Sequence, residues 1–246
     1  MGQLTDIPAV RLGYLRGIPI FVDATFLAAV ATIFFALVRR QFPGLLDYGI
    51  VISLVTAGVF LSILTHELGH AFVARRFGLR AEEIRIGGFY GLAFLSGTPS
   101  RRLDSILILL AGPLANATNA ILLLLILGLP SLSSSFYLSD PLFDSPVRDI
   151  LVLRVSLEWL IYVNLGMLIF NLLPAFPLDG GRIARLLLEN VTSDATAVRL
   201  VAGAGLVMGA WSVFGIASYP ALLLAAPMLV LANYGIWKGE VAAPAD

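Results

Sequence analysis

The apolar positions of this chain gather into six runs, at about 24–38, 49–77, 104–129, 157–178, 198–216 and 219–237. Each lies near the ~20 residues that an α-helix needs to cross a bilayer. The first run is short. The second is long enough to tilt or to extend into the cytosol. A break near Ser218-Tyr219-Pro220 is all that separates the fifth from the sixth. Between the second and third runs, Gly78 to Pro99 is too polar and glycine-rich for a helix. There Ala81-Glu82-Glu83-Ile84-Arg85-Ile86 partly alternates, Gly87-Gly88 interrupts, and Phe89 to Leu95 is apolar again, which signals a β-hairpin. The stretch Ala9 to Val22 offers a second pair of short strands around Gly17. Such backbone at membrane depth must be covered by protein or line a cavity. The run Ser131 to Asp149 reads as an exposed loop. No internal repeat is evident, and no stretch is large enough for a separate soluble domain.

Composition agrees with the apolar runs. Mean hydropathy is +0.92, 59% of residues are hydrophobic and 13% are charged, against about 25% charged in soluble domains. Formal net charge is zero and no basic run is present, so a nucleic-acid partner is not expected. With no cysteine, disulfides and thiolate metal sites are excluded. The N-terminal residues lack the basic and apolar regions of a cleavable signal peptide. Basic residues set the orientation. Arg75, Arg76, Arg80, Arg85, Arg101 and Arg102 fall between the second and third runs. With both termini cytoplasmic, these join Arg11, Arg16, Arg182, Arg185, Arg199 and Lys238 inside, leaving only Arg39, Arg40, Arg148 and Arg154 outside. The fold expected is an α-helical polytopic membrane protein. It has about six transmembrane helices and a short β-hairpin or sheet element on the cytoplasmic side.

Chemistry concentrates in one pentapeptide. Both histidines of the chain lie in His66-Glu67-Leu68-Gly69-His70, inside the second apolar run. Residues i and i+4 share a helix face, so the two imidazoles can bind one metal ion. Glu67 can then reach a water on that metal as general base. Ionisable groups at membrane depth are costly and functional by default. The competing reading is a chance pattern of interfacial or core histidines. A catalytic zinc usually has three protein ligands and an open position. With both histidines used, the third ligand should be a carboxylate. Asp179 closes the fourth run, and the charge count puts it at the depth of His66 and His70. Its competing reading is a helix cap at the cytoplasmic boundary, followed by a glycine turn at Gly180-Gly181. Pro174 and Pro177 remove backbone donors and should interrupt the helix ahead of it.

These motifs resemble the site-2 protease family of intramembrane zinc metalloproteases. The resemblance rests on His66-Glu67-Leu68-Gly69-His70 together with Asn171-Leu172-Leu173-Pro174-Ala175-Phe176-Pro177-Leu178-Asp179-Gly180-Gly181-Arg182. Ala111-Gly112-Pro113-Leu114-Ala115-Asn116 is similar to the family's G-P-x-x-N element. Arg11 to Ile20 and Ile86-Gly87-Gly88 add to it, so it covers about residues 10 to 190. The layout is similar to prokaryotic members with six helices and no inserted PDZ domain. Many of those carry C-terminal CBS domains. This chain, ending soon after Trp237, is expected to be a compact form or one cut before such a domain.

The resemblance implies one transmembrane protease domain over residues 1–246, with core spans at about 49–77, 104–129 and 157–178. It implies one Zn2+ per chain on His66, His70 and Asp179, with Glu67 as the catalytic base. Asn171 would hold the substrate backbone or the oxyanion, with an interhelical hydrogen bond as its competing reading. Gly87 and Gly88, with the strands around them, would bind substrate by edge pairing. Asn116 would also bind substrate, although packing of the third span is the stronger reading for it and for Asn119. The partner implied is a membrane-anchored, regulatory protein with a transmembrane helix, in a multi-pass protein of a prokaryotic plasma membrane. Homo-oligomerisation is left open. A transporter or a catalytically silent zinc scaffold is the alternative. The absence of internal pseudo-symmetry and the retention of Glu67 count against it.

Overall fold

The computed structural model describes residues 8–26, 28–29, 45–88, 91–128, 148–215 and 222–244. Four strands and six helices are delimited among them: β1 (Ala9–Leu15), β2 (Ile18–Asp23), α1 (Leu45–Arg76), β3 (Arg80–Ile86), β4 (Gly91–Ser96), α2 (Arg102–Leu127), α3 (Arg148–Asn171), α4 (Asp179–Leu188), α5 (Asp194–Gly215) and α6 (Leu222–Lys238). Among the described residues, four helical segments are long and apolar enough to cross a membrane: Gly49–Arg76, Arg102–Leu127, Val152–Asn171 and Asp194–Ser212. The expected first span shows helix at 24–26 and 28–29, and the rest of it lies outside the described residues. So do the break at 218–220 and the loop residues 131–147. The sixth expected span coincides with α6, of 17 residues. The described chain divides into two compact units. One comprises Met1–Gly97 with Leu114–Met167, the other Thr98–Pro113 with Leu168–Asp246.

The sheet belongs to the first unit, with strand order β1-β2-β3-β4. Two antiparallel hairpins flank a parallel pairing of β2 with β3, in which Ile20 faces Ile84 and Val22 faces Ile86. The β1–β2 turn is Arg16-Gly17, both at positive φ (49° and 82°). Such a two-residue turn matches the right-handed twist of the strands it joins, and glycine accepts the conformation without strain. Parallel strands need a long crossover, and here the intervening chain includes α1. Ile18, Ile20, Ile84 and Ile86 alternate onto one face and pack on Ile63, Leu68 and Ala71 of α1. Ala71 and Ala74 are fully buried. Their small side chains let other backbone come close to the half of α1 that carries the H-E-x-x-H sequence.

In the second unit, α3 ends at Asn171, earlier than the expected boundary at 178. Residues 172–178 form turns, as Pro174 and Pro177 demand. The glycine turn at 180–181 that the competing reading of Asp179 offered is not what forms: Asp179, Gly180 and Gly181 open α4 as its first three residues. The glycines serve close approach instead. A Cβ on Gly180 would strike the Leu172 and Leu173 carbonyl groups, and one on Gly181 would strike Ala175 and Phe176 backbone. Phe176, Val201, Ala202 and Ile236 pack as a core under this turn. Outside it, Arg102 pairs with Glu189 at 3.1 Å and Arg185 with Asp194 at 2.9 Å.

Candidate metal centre

Residues 66 to 70 lie within the 32-residue α1, and His66, Glu67 and His70 are all buried. The i, i+4 spacing turns both imidazoles to one side, with His66 Nε2 and His70 Nε2 3.1 Å apart. His66 Nδ1 lies 2.5 Å from Asn116 Oδ1 on α2. An amide oxygen only accepts, so Nδ1 carries the proton and Nε2 carries the lone pair. That is the tautomer a ligand needs, and a hydrogen bond to the other ring nitrogen is what fixes it. Two imidazole nitrogens on one tetrahedral zinc, each about 2.05 Å from it, sit about 3.3 Å apart.

Asp179, buried, is the first residue of α4. A carboxylate there is favoured by the positive end of the helix dipole. The helix has no side-chain cap, its N-cap being Leu178. The turn leading to Asp179 is gripped by Asn233 of α6, whose Oδ1 accepts from Phe176 N–H at 3.1 Å. Its Nδ2 donates to the Phe176 carbonyl at 2.7 Å and to that of Leu229 at 2.8 Å. Gly205 of α5 makes room for this amide, since a Cβ there would strike it. Sequence reasoning passed over Asn233. Its signal was an asparagine in an otherwise apolar run, the kind of residue that bonds across membrane helices.

His66, His70 and Asp179 form a buried group whose ligand atoms all lie within 4.8 Å of one another. Two imidazoles and a carboxylate, with the nitrogens spaced as above, fit one zinc ion. Glu67 is beside them in sequence, and its carboxylate lies against Gly91, the first residue of β4. Gly91 is thus the glycine that meets the expected base, although the sequence drew attention to Gly87 and Gly88. Gly88 instead faces the helical residues Thr25 and Ala29. Its N–H donates to Thr25 Oγ1 at 2.9 Å, and a Cβ would strike Thr25 and Ala29. Gly87 is buried between β3 and that contact. Asn171 is the last residue of α3, half-buried. Asn116 is fully buried behind His66, and Asn119 donates to Thr65 Oγ1 at 2.7 Å.

A buried H-E-x-x-H pair on a long apolar helix, with a later buried aspartate at the start of a short one, defines the class of membrane metallopeptidase folds. The chain belongs to peptidase family M50, whose model matches residues 54–147 and 131–214. It is 29% identical over 198 residues to a zinc metalloprotease of Methanocaldococcus jannaschii, covering 80% of this chain and 50% of that one. It is 32% identical over 183 residues to Rip3 of Mycobacterium tuberculosis, covering 72% and 43%. The chain therefore spans half or less of the length of these curated relatives. The solved site-2 protease from Methanocaldococcus jannaschii superposes with a TM-score of 0.64 at 24% identity, over 97% of this chain and 98% of that one. That likeness shows the fold.

Proposed function

We propose that this chain is an intramembrane zinc metalloprotease that hydrolyses a peptide bond within or next to a transmembrane segment of a membrane-anchored regulatory protein. The observation that carries the proposal is the buried His66, His70 and Asp179 group with Glu67 beside it. Membership of peptidase family M50 supports it. His66, His70 and Asp179 would hold the zinc. The ion would acidify the attacking water and polarise the scissile carbonyl. Glu67 takes the proton from that water and passes it to the leaving amine nitrogen, so the proton ledger closes on one side chain. Asn171 donates to the substrate carbonyl as charge builds on its oxygen. The Gly87-Gly88 region leads into β4, the outer strand of the sheet, whose open edge would receive the unwound substrate through main-chain hydrogen bonds. A membrane helix resists cleavage while its amides are internally paired, and strand pairing satisfies them once it unwinds. About six spans, with both termini cytoplasmic, complete the proposal.

The test is Glu67→Gln, which is nearly isosteric but cannot take a proton. With purified protein and a panel of single-span substrates, it should keep its zinc and lose at least ~10²-fold in kcat. Substantial cleavage by a zinc-loaded Glu67→Gln protein removes the base from Glu67. A wild-type protein that binds zinc yet cleaves no substrate in the panel is a silent scaffold.

A further inference from the structure

Behind His66 lies a polar cluster that no catalytic step uses. Asn116 Nδ2 donates to Asn164 Oδ1 on α3 at 3.0 Å and lies 3.4 Å from the Ser62 carbonyl. Asn164 Oδ1 also accepts from Asn119 Nδ2 at 3.2 Å. Asn164 Nδ2 donates to Ser62 Oγ at 2.9 Å and to the Leu160 carbonyl at 2.8 Å. Ser62 Oγ donates in turn to the Gly58 carbonyl at 2.8 Å. Asn116, Asn164 and Ser62 are all buried.

The direction of this chain of bonds is forced. The Leu160 carbonyl can only accept, so the end of Asn164 facing it must be the NH2 group. The other end of Asn164 is therefore an oxygen, and it demands a donor from Asn116. Asn116 must then turn its own oxygen to His66. That orientation requires the proton on His66 Nδ1 and leaves Nε2 as the ligand atom. A flipped Asn164 would set NH2 against NH2 and oxygen against oxygen, at a cost of several buried groups left unmatched, each about 1–3 kcal/mol.

We propose that Asn164 is a positioning residue that acts through Asn116 to fix the ligand tautomer of His66. The inference rests on the reading of His66 as a zinc ligand. Asn164 neither touches the metal nor meets the substrate. Its role is to transmit the fixed polarity of a main-chain carbonyl on α3 to an imidazole on α1. The outer partners of metal-bound histidines typically matter by 10–100-fold in metal affinity.

The experiment measures zinc affinity of the purified full chain by competition with a chelator, with Co2+ absorption as a second readout of ligand geometry. Asn164→Leu, Asn116→Leu and the double variant are compared with wild type. Each single variant should bind zinc about 10–100-fold more weakly, with an altered Co2+ spectrum. The double variant should bind no more weakly than Asn116→Leu, because both act through one hydrogen bond. Wild-type zinc affinity in a folded Asn164→Leu protein overturns the inference. So do losses that multiply in the double variant, or a lowered unfolding temperature with unchanged zinc affinity. Should the leucine variant not fold, Asn164→Ser takes its place: weakened zinc binding supports the inference and wild-type affinity overturns it, since a serine hydroxyl bonds within its own helix. His66→Ala is measured alongside. If it keeps wild-type zinc affinity, the ligand reading of His66 has failed. If it loses zinc while Asn164→Leu does not, only the positioning role has failed.

Discussion

Glu67 and Gly91 meet because β4 begins against the face of α1 that carries Glu67. A methyl group at position 91 would occupy the space of the Glu67 carboxylate. The obstacle is the far end of a flexible side chain, so the backbone survives and the carboxylate moves. Gly91→Ala should therefore fold and load zinc as wild type does, while kcat falls by about 10²-fold or more, as expected when a general base is misplaced. Zinc content and turnover measured on the same preparation check this, and unchanged turnover refutes it. At this scale the sequence was informative where the chemistry is local. His66, Glu67 and His70 are legible because helical spacing alone brings the imidazoles together. Gly91 and Asn164 are not, because each matters through one neighbour far away in the chain.

At the scale of elements, the short helix α4 is the part whose construction differs from its sequence pattern. Pro-Ala-Phe-Pro followed by Asp-Gly-Gly reads as a bend and then a turn. The bend is there, but the glycines start a helix whose backbone lies on the preceding turn. Excluded volume, invisible in one-dimensional propensity, overrides the usual meaning of paired glycines. The same element depends on Asn233, which satisfies both backbone groups of Phe176. Asn233→Leu leaves a buried N–H and a buried carbonyl unmatched, each worth about 1–3 kcal/mol. The unfolding temperature in detergent should drop by several degrees, and zinc should dissociate faster as the Asp179 turn loosens. A variant with wild-type stability and zinc off-rate shows that the turn is held by its apolar core alone.

For the whole molecule, hydropathy located α1, α2, α3, α5 and α6, but neither α4 nor the pairing of β2 with β3, which is non-local. The fourth apolar run lies at about 157–178, and α3 covers Arg148–Asn171. Orientation is a property of the entire chain, and the distribution of arginines predicts it. The protein has no cysteine, so single cysteines report cleanly. One at Ser100 should resist a membrane-impermeant thiol reagent in intact cells, and one at Ser134 should react. The reverse result inverts the topology.

The parallel β2–β3 pairing also constrains how the protein is made. β2 leaves the ribosome early, paired only with β1, and its second edge stays open until α1 has been synthesised and β3 follows it. Non-local pairing of this kind is slow, and open edges invite wrong partners. The helix that carries the two histidines must therefore be threaded before its supporting sheet can close. A chain arrested before residue 80 therefore exposes an unfinished sheet, with the edge of β2 still waiting for β3.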